Sequence, residues 1–471
     1  MDTQGHGAQA GYDTVVVGGG LAGLVAANLL ADRGQAVALV EARRRLGGRA
    51  ATDEREGHRF NQGPHALYLA GPGMAVLRRL GVEPTGGQPP SSGSLAWLDG
   101  RLGLLPRSAG TLAATRLLGP ADKAVVGRLL GALPRLDPAD VAGLSAAAWI
   151  DGLTDRAKVR HLLHGLVRLT TYAADVDVLA ADVALAQLQL GTSGGVLYAD
   201  GGWQRLIDRL ADRFRGRGGS IRAGAAVEAL TPGTGGWTVA TAAGPMAAGA
   251  VVLAGLSPAA AVRLSGSADL ARRCRELVPA TAAALDVGLR RLPRPRHPFA
   301  LGLDRPWYLS VHNPPADLGS GVTLHVMAYL DRHDTAPATE PEGDLELEGP
   351  LGPEGPAGGP GEGRPSRAQA LRSELEGLLD QVQPGWRPQL ETARFQRRLV
   401  VAHALPTAAG GGLAGRPPVA VTDRQGLFLA GDWVGPTGHL ADAVIASAAD
   451  AADAAAATHP AGRDGGTLVR P

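Results

Sequence analysis

The chain predicts an α/β fold: a Rossmann-like nucleotide-binding domain assembled from discontinuous segments, plus an α+β substrate domain. Three observations predict it. A strand, a Gly18-x-Gly20-x-x-Gly23 turn and a helix open the chain, a second apolar strand ends in Glu41, and a later strand runs into Gly431-Asp432 ahead of a small-residue helix. A turn of the first kind, so flanked, holds a dinucleotide.

The opening strand earns its assignment from Val15, Val16 and Val17, a β-branched run suited to a parallel strand buried on both faces. The Ala/Leu-rich stretch from Leu21 to Asp32 has the period and small side chains of a helix packed on a sheet. Gly18 permits the tight turn, Gly20 lets the backbone approach a pyrophosphate, and Gly23 lets helix and strand come close. Leu21 and Ala22 then open the helix, whose N-terminus offers free amides and a positive dipole end. The strand closing at Glu41, just before Ala42, puts a carboxylate about 20 residues further on, where it can accept hydrogen bonds from both ribose hydroxyls. An arginine there would suit a 2′-phosphate, so Glu41 favours a plain adenosine ribose. Gly410-x-Gly412-x-x-Gly415 has the same spacing, but Pro406, Pro417 and Pro418 surround it and no strand or helix flanks it, so it reads as a loop.

Residues 11–88 are the first part of the nucleotide unit, and 89–190, mostly helical in pattern, are a substrate insertion. The second part, 191–257, holds a helix starting at Gly201-Gly202 and strands around Ile221, Val227, Trp237 and Val252. Residues 258–419 form the substrate unit, with strand-like alternation from Thr281 to Leu330. Within it, 334–365 is a Pro/Gly/Glu-rich surface insertion expected to be disordered. Residues 420–458 complete the nucleotide unit, where the turn after Gly431-Asp432 brings a second helix dipole to the ligand.

With 471 residues and 45% hydrophobic composition the chain can bury two or three cores, and a formal net charge of +1 gives no hint of a nucleic acid partner. A single cysteine, Cys274, excludes an internal disulfide and a cysteine-based metal centre. The arginines beside it could lower its pKa, against the plainer reading of an incidental helix residue. No secretory signal or membrane-length apolar run is present, so a cytoplasmic protein is expected. Residues 121–133 are modestly amphipathic, which a buried helix explains more simply than a membrane surface.

Taken together, these separated motifs resemble the flavin amine oxidase, protoporphyrinogen oxidase and phytoene desaturase superfamily, and within it the phytoene-dehydrogenase-like bacterial branch. The matching pieces are Gly18 to Gly23 with Glu41, Gly47-Gly48-Arg49, Phe60 to His65, the Val227 strand, and Gly431-Asp432 through Leu440. The resemblance implies FAD as cofactor, held non-covalently because Cys274 lies outside the C-terminal motif. It implies Glu41 and Ala42 at the adenosine ribose, Gly48 and Arg49 on the pyrophosphate side and Val227 at the adenine. It likewise implies Asp432 at the ribityl chain, Gly63, Pro64 and His65 beside the isoalloxazine, and Leu440 at its pyrimidine end. Neither lysine, Lys123 or Lys158, lies in the strand region where the amine oxidase branch keeps one, which weighs against an efficient amine oxidase.

The expected activity is an FAD-dependent dehydrogenase or desaturase accepting a hydride at the flavin N5 from a small or lipophilic substrate. Flavin amine oxidase and a non-catalytic binding protein of the same fold are the alternatives. His65 is the first candidate base, or else orients the loop at the ring; His439 and Tyr308 are weaker candidates. With one credible dinucleotide motif, no dedicated NAD(P)H site is expected, and electrons would leave to oxygen, a quinone or another acceptor. Gly191-x-Ser193-x-Gly195 fits a nucleophile elbow by spacing only, since a helix precedes it and a strand follows, the reverse of what that motif needs. His161 and His164 share a helix face without further metal ligands.

Overall fold

The computed structural model describes residues 11–334 and 366–458, so most of the expected insertion at 334–365 lies outside the described residues. Two seven-stranded sheets organise the chain. In the first, Ser220–Ala223, Val37–Glu41, Gly11–Val17, Met246–Ala254 and Leu427–Ala430 lie side by side and parallel. Gly236–Thr241 and Val227–Gly233 add an antiparallel meander along the start of Met246–Ala254.

Side chains on these parallel strands alternate between two cores. Val16, Leu39, Val252 and Phe428 pack with the helices Leu21–Asp32, Trp203–Gly216 and Ala441–Thr458. Val15, Val17, Val40, Val251 and Leu429 fill the opposite side. With both faces covered, the strands need no polar alternation, which is why they read as continuous apolar runs.

The second sheet runs Leu390–Ala402, Ala280–Leu289, Val322–Leu330, Trp307–Asn313, Phe299–Gly302, Ser94–Leu98 and Arg101–Leu104. Neighbours are antiparallel except Phe299–Gly302 beside Ser94–Leu98. Thus residues 94–104, inside the stretch expected to be mostly helical, instead extend this sheet. Their period-2 burial, with Ser94, Ala96 and Leu98 buried, was too short a signal against the helices that follow. One face of the sheet is aliphatic: Leu285, Val287, Leu309, Val311, Leu324 and Val326 pack against the helix Arg367–Val382 and Trp386.

The other face changes character along its length. Ala282, Ala284, Tyr308, Met327 and Tyr329 meet the helices Ala146–Leu153, Ala157–Thr171 and Ala181–Ser193 in an apolar core. Further along the same strands, Asp286, His325 and Arg394 form a buried polar cluster beside the hairpin Thr52–Arg55/His58–Asn61. In helix Pro120–Ala132 Val126 is buried and Val125, Leu129 and Leu130 lean partly buried onto the helical core, while the rest of the helix is exposed or half-buried. Among the described residues no helix is long and apolar enough to cross a membrane.

Candidate functional site

Because five strands of the first sheet run parallel, their C-terminal ends open on one edge, and the sequence motifs follow those ends. Gly18 has φ +111°, and a Cβ there would lie 2.1 Å from the Ala254 carbonyl oxygen. At Gly23 a Cβ would lie 1.8 Å from the Gly18 oxygen. These two glycines are required by the protein itself. Gly20 differs, since its backbone is extended and a Cβ there would meet only the Gly47 oxygen at 3.5 Å; at Gly48 a Cβ would meet only the Gly20 Cα at 4.0 Å, though its φ of +54° itself favours glycine. Backbone bonding between Gly19 and Gly47 holds these two bare positions together. They front the helix Leu21–Asp32, which has no side-chain cap and no acidic residue in its first turn. A bare backbone cradle at an uncapped helix N-terminus fits a pyrophosphate.

Glu41 ends its strand at the same edge. Its carboxylate accepts from the Gly19 amide at 2.6 Å and the Arg43 amide at 2.8 Å, fixing it against the turn while lone pairs remain for further donors. Ala42 beside it is exposed. The Ala225 amide donates to the Glu41 carbonyl at 2.9 Å, which brings the segment leading into Val227 to this end of the crevice.

At the other end, Arg49 pairs with Asp432 through Nη2 at 2.5 Å, and the His403 amide donates to the same carboxylate at 2.5 Å. Burial pushes the Asp432 carboxyl upward, but Arg49 and His403 outweigh it and hold the group well below the usual carboxylate range. The neighbouring Gly431 amide donates to Ser447 Oγ at 2.9 Å, tying the strand end to the last helix. Leu440 precedes that helix with φ +53°, a left-handed conformation uncommon for so bulky a side chain.

Gly63 (φ +79°) faces Leu399 so closely that a Cβ would come within 2.7 Å of its Cδ1. Pro64 is buried, and the partly exposed His65 donates from Nδ1 to the Gly63 carbonyl at 2.9 Å and meets the Trp203 ring edge-on at 4.9 Å. Burial pulls the His65 imidazole down to about 4, so the ring is neutral near pH 7. His439 is fully buried with both nitrogens engaged, Nε2 by the Thr171 carbonyl at 2.9 Å and Nδ1 by Arg416 at 3.3 Å. It fastens the segment after Asp432 to the helical unit and offers no free lone pair. Tyr308 lies buried on the second sheet, 3.2 Å from the Tyr172 hydroxyl, and burial, then Tyr172 and Tyr329, raise its phenol so that it stays protonated.

The glycine turn, Glu41, Gly48, Arg49 and Asp432 are therefore gathered at one edge, whereas His439 has both nitrogens engaged and Tyr308 is buried on the second sheet. His403, Ser447 and the whole strand Leu390–Ala402 escaped the sequence reading. That strand runs along the site: Arg394 reaches Asn61, Gln396 bonds Gln62 at 2.9 Å, Leu399 abuts Gly63, and the Val401 carbonyl accepts from Arg49 at 3.3 Å. Its apolar/polar alternation of Ala393, Arg394, Phe395 and Gln396 was a short strand signal, but no fixed motif marks it. Ser193 ends a helix and bonds its own Leu190 carbonyl, and no group of three or more metal-ligating side chains exists among the described residues. Burial raises the Cys274 thiol to about 11, the plainer of the two readings of that residue.

A family model described as flavin containing amine oxidoreductase matches residues 21–456. The chain belongs to this family. A carotenoid 3,4-desaturase from Haloarcula japonica is 53% identical over 60 residues, 13% of this chain and 12% of that protein. A coproporphyrinogen III oxidase from Propionibacterium freudenreichii is 31% identical over 185 residues, 37% of this chain and 34% of that protein. The matches to curated relatives thus span about a third of their length or less. An oxidoreductase from Methanosarcina mazei shares the fold at TM-score 0.67, with 18% identity over 93% of this chain and 99% of that one. The cyclohexylamine oxidase of Brevibacterium oxydans does so at 0.66, with 17% identity over 95% and 98%. In this flavin-containing oxidoreductase both lysines lie on the helical unit, Lys123 bonded to the Ala113 carbonyl and Lys158 paired with Asp99.

Proposed function

We propose that the chain is an FAD-dependent oxidoreductase of the dehydrogenase or desaturase type, with the flavin bound non-covalently. The observation that carries this reading is the pair of bare positions, Gly20 and Gly48, at an uncapped helix end between Glu41 and Arg49. When bound, the FAD supplies hydride acceptance at N5. Glu41 receives the adenosine ribose hydroxyls beside Ala42, the backbone at Val227 meets the adenine, and the amides of Leu21 and Ala22 face the pyrophosphate. Arg49 offsets phosphate charge, while Asp432, fixed by Arg49 and His403, accepts from the ribityl hydroxyls. Gly63, Pro64 and the neutral His65 line the ring, with Leu440 at its pyrimidine end. The Asp432, Gly18 and Gly23 positions serve this site through geometry that a flavin does not have to induce.

Tyr172 meets Tyr308 and Tyr329 edge-on, and those two rings lie tilted to each other, all at about 6 Å in the core shared with the helical unit, an aromatic cluster that suits a substrate of lipophilic or aromatic character. The absence of a lysine from the described strands of the second sheet favours desaturation over amine oxidation. Electrons pass on to oxygen, a quinone or a similar acceptor rather than from NAD(P)H, and the protein works in the cytoplasm. Purified protein is expected to be yellow and to release FAD on acid or heat denaturation. Colourless protein that takes up no FAD on titration would overturn the reading.

A further inference from the structure

On the second sheet, strand alternation turns Asp286, His325, Ser310, His312 and Arg394 away from the aliphatic face and toward the hairpin and loop that carry residues 52–65. Asp286 and His325 are both fully buried, and His325 Nδ1 lies 2.6 Å from Asp286 Oδ1. The other carboxylate oxygen accepts two bonds from Arg394, Nε at 2.9 Å and Nη2 at 2.6 Å. Burial works against ionisation of Asp286, but Arg394 and His325 prevail and keep it an anion. An ionised Asp286 fixes the hydrogen of His325 on Nδ1, so Nε2 carries a lone pair.

That Nε2 is buried and has no hydrogen-bond partner, and neither does His312 Nδ1. The two rings stand edge to face, with centroids 4.5 Å apart. Tyr198 covers His312 at 3.7 Å and anchors its own hydroxyl on Ser310 at 2.9 Å. An unmade bond on a buried imidazole costs about 1–3 kcal/mol, so its persistence here calls for a compensating use.

Charge around the pair is already balanced. Asp286 has Arg394, and Asp53, which Arg394 also reaches at 2.8 Å, has Arg45 at 2.8 Å. His58 is paired with Glu391 at 2.8 Å. Burial holds His312 well below the usual histidine range and thus neutral. His65 is held neutral in the same way, chiefly by burial.

We propose that His325, oriented by Asp286, is the protein's redox-linked proton holder. This rests on the flavin reading above. A two-hydrogen donor passes a hydride to the cofactor and loses a proton; the reduced cofactor carries one negative charge, and His325 Nε2 takes up the proton. When oxygen or a quinone removes the two electrons, it receives the cofactor's hydrogen and the His325 proton together, restoring both. His325 is a positioning and proton-holding residue; His65 stays the neutral neighbour of the ring.

The test is spectroelectrochemical titration of the flavin in purified holoprotein, wild type and His325→Gln, above neutral pH. Two protons per two electrons make the reduction equilibrium fall a hundredfold per pH unit in wild type, about 59 mV. The variant should lose one proton and fall tenfold, about 30 mV per pH unit. Should His325→Gln not fold, 15N-histidine NMR of wild type before and after dithionite reduction gives the answer alone. One imidazole other than that of His65 must become doubly protonated, and a His312→Gln sample must retain that signal. Equal slopes in the two proteins, an unchanged histidine spectrum or a response from His65 or His312 would overturn the proposal. Failure of the protein to bind flavin at all would overturn the functional reading with it, whereas flavin uptake with a one-proton slope in wild type would overturn this inference only.

Discussion

Arg49 and Asp432, 383 residues apart in the chain, meet through an ion pair of 2.5 Å that joins the turn after the second parallel strand to the end of the last. Asp432 is 1% exposed and Arg49 36%, so the pair is anchored on its carboxylate side. Removing the charge by Asp432→Asn should destabilise the protein by about 2–3 kcal/mol at neutral pH, less than the 3–5 of a fully buried pair because Arg49 keeps some water. The carboxyl is depressed in the folded state, so its stabilisation is full above the unfolded value of about 3.9 and is lost as pH falls below it. Thermal melts of wild type and Asp432→Asn should therefore converge in acid. A gap that stays constant with pH would contradict the assignment.

The glycine turn separates what the fold needs from what a ligand needs. Gly23→Ala would drive a methyl group into the Gly18 carbonyl, so this variant should fail to fold or lose several °C in Tm. Gly20→Ala meets no such obstacle, and its backbone lies in the extended region open to any residue. It should melt like wild type yet take up at least tenfold less FAD. Circular dichroism melts combined with flavin absorbance per mole of protein would show it.

Glu41→Ala should weaken FAD binding by about 2–4 kcal/mol, at roughly 1.5–3 for each charge-assisted bond less partial replacement by water. That is about 30- to 1,000-fold in affinity. Glu228 is exposed on the meander and serves as the control. Glu228→Ala should purify yellow and Glu41→Ala largely as apoprotein; equal occupancy would mean that the adenosine end lies elsewhere.

Burial pushes the Asp442 carboxyl up to about 6 against the opposing Gly73 amide, and its Oδ2 has no partner. The folded protein thus binds this proton more tightly than the unfolded chain does. Its contribution favours folding below about pH 3.9 and is lost as pH rises to about 6, leaving a cost of up to about 3 kcal/mol above that. Asp442→Asn should raise Tm at about pH 8 and leave it nearly unchanged at about pH 4. A variant destabilised at both would show that the anion is needed.

Legibility followed locality. The first parallel strands, their glycine turn and Glu41 could be read because each lies within a few residues of the next and both faces are covered. The same holds for Gly431-Asp432 and its helix. What escaped depends on partners distant in the chain. Asp286 looked like one polar residue in an alternating strand until His325 and Arg394 came beside it, 39 and 108 residues further on. His439 sat in a cofactor motif and so invited a chemical role, yet Thr171 and Arg416 occupy both its nitrogens. Residues 94–104 were masked by the helices after them, because their sheet partner, Phe299–Gly302, comes some two hundred residues later.

The parallel strand Leu427–Ala430 pairs with Met246–Ala254, which itself pairs with Gly11–Val17. On a ribosome the opening βαβ piece waits through nearly four hundred residues of synthesis for its last strand, for Asp432 and for the helix Ala441–Thr458. Arg49 has no Asp432 to meet, and one side of Met246–Ala254 stays open, until residues 427–432 have been made. Chains arrested before about residue 430 therefore leave one side of Met246–Ala254 as an unpaired parallel edge.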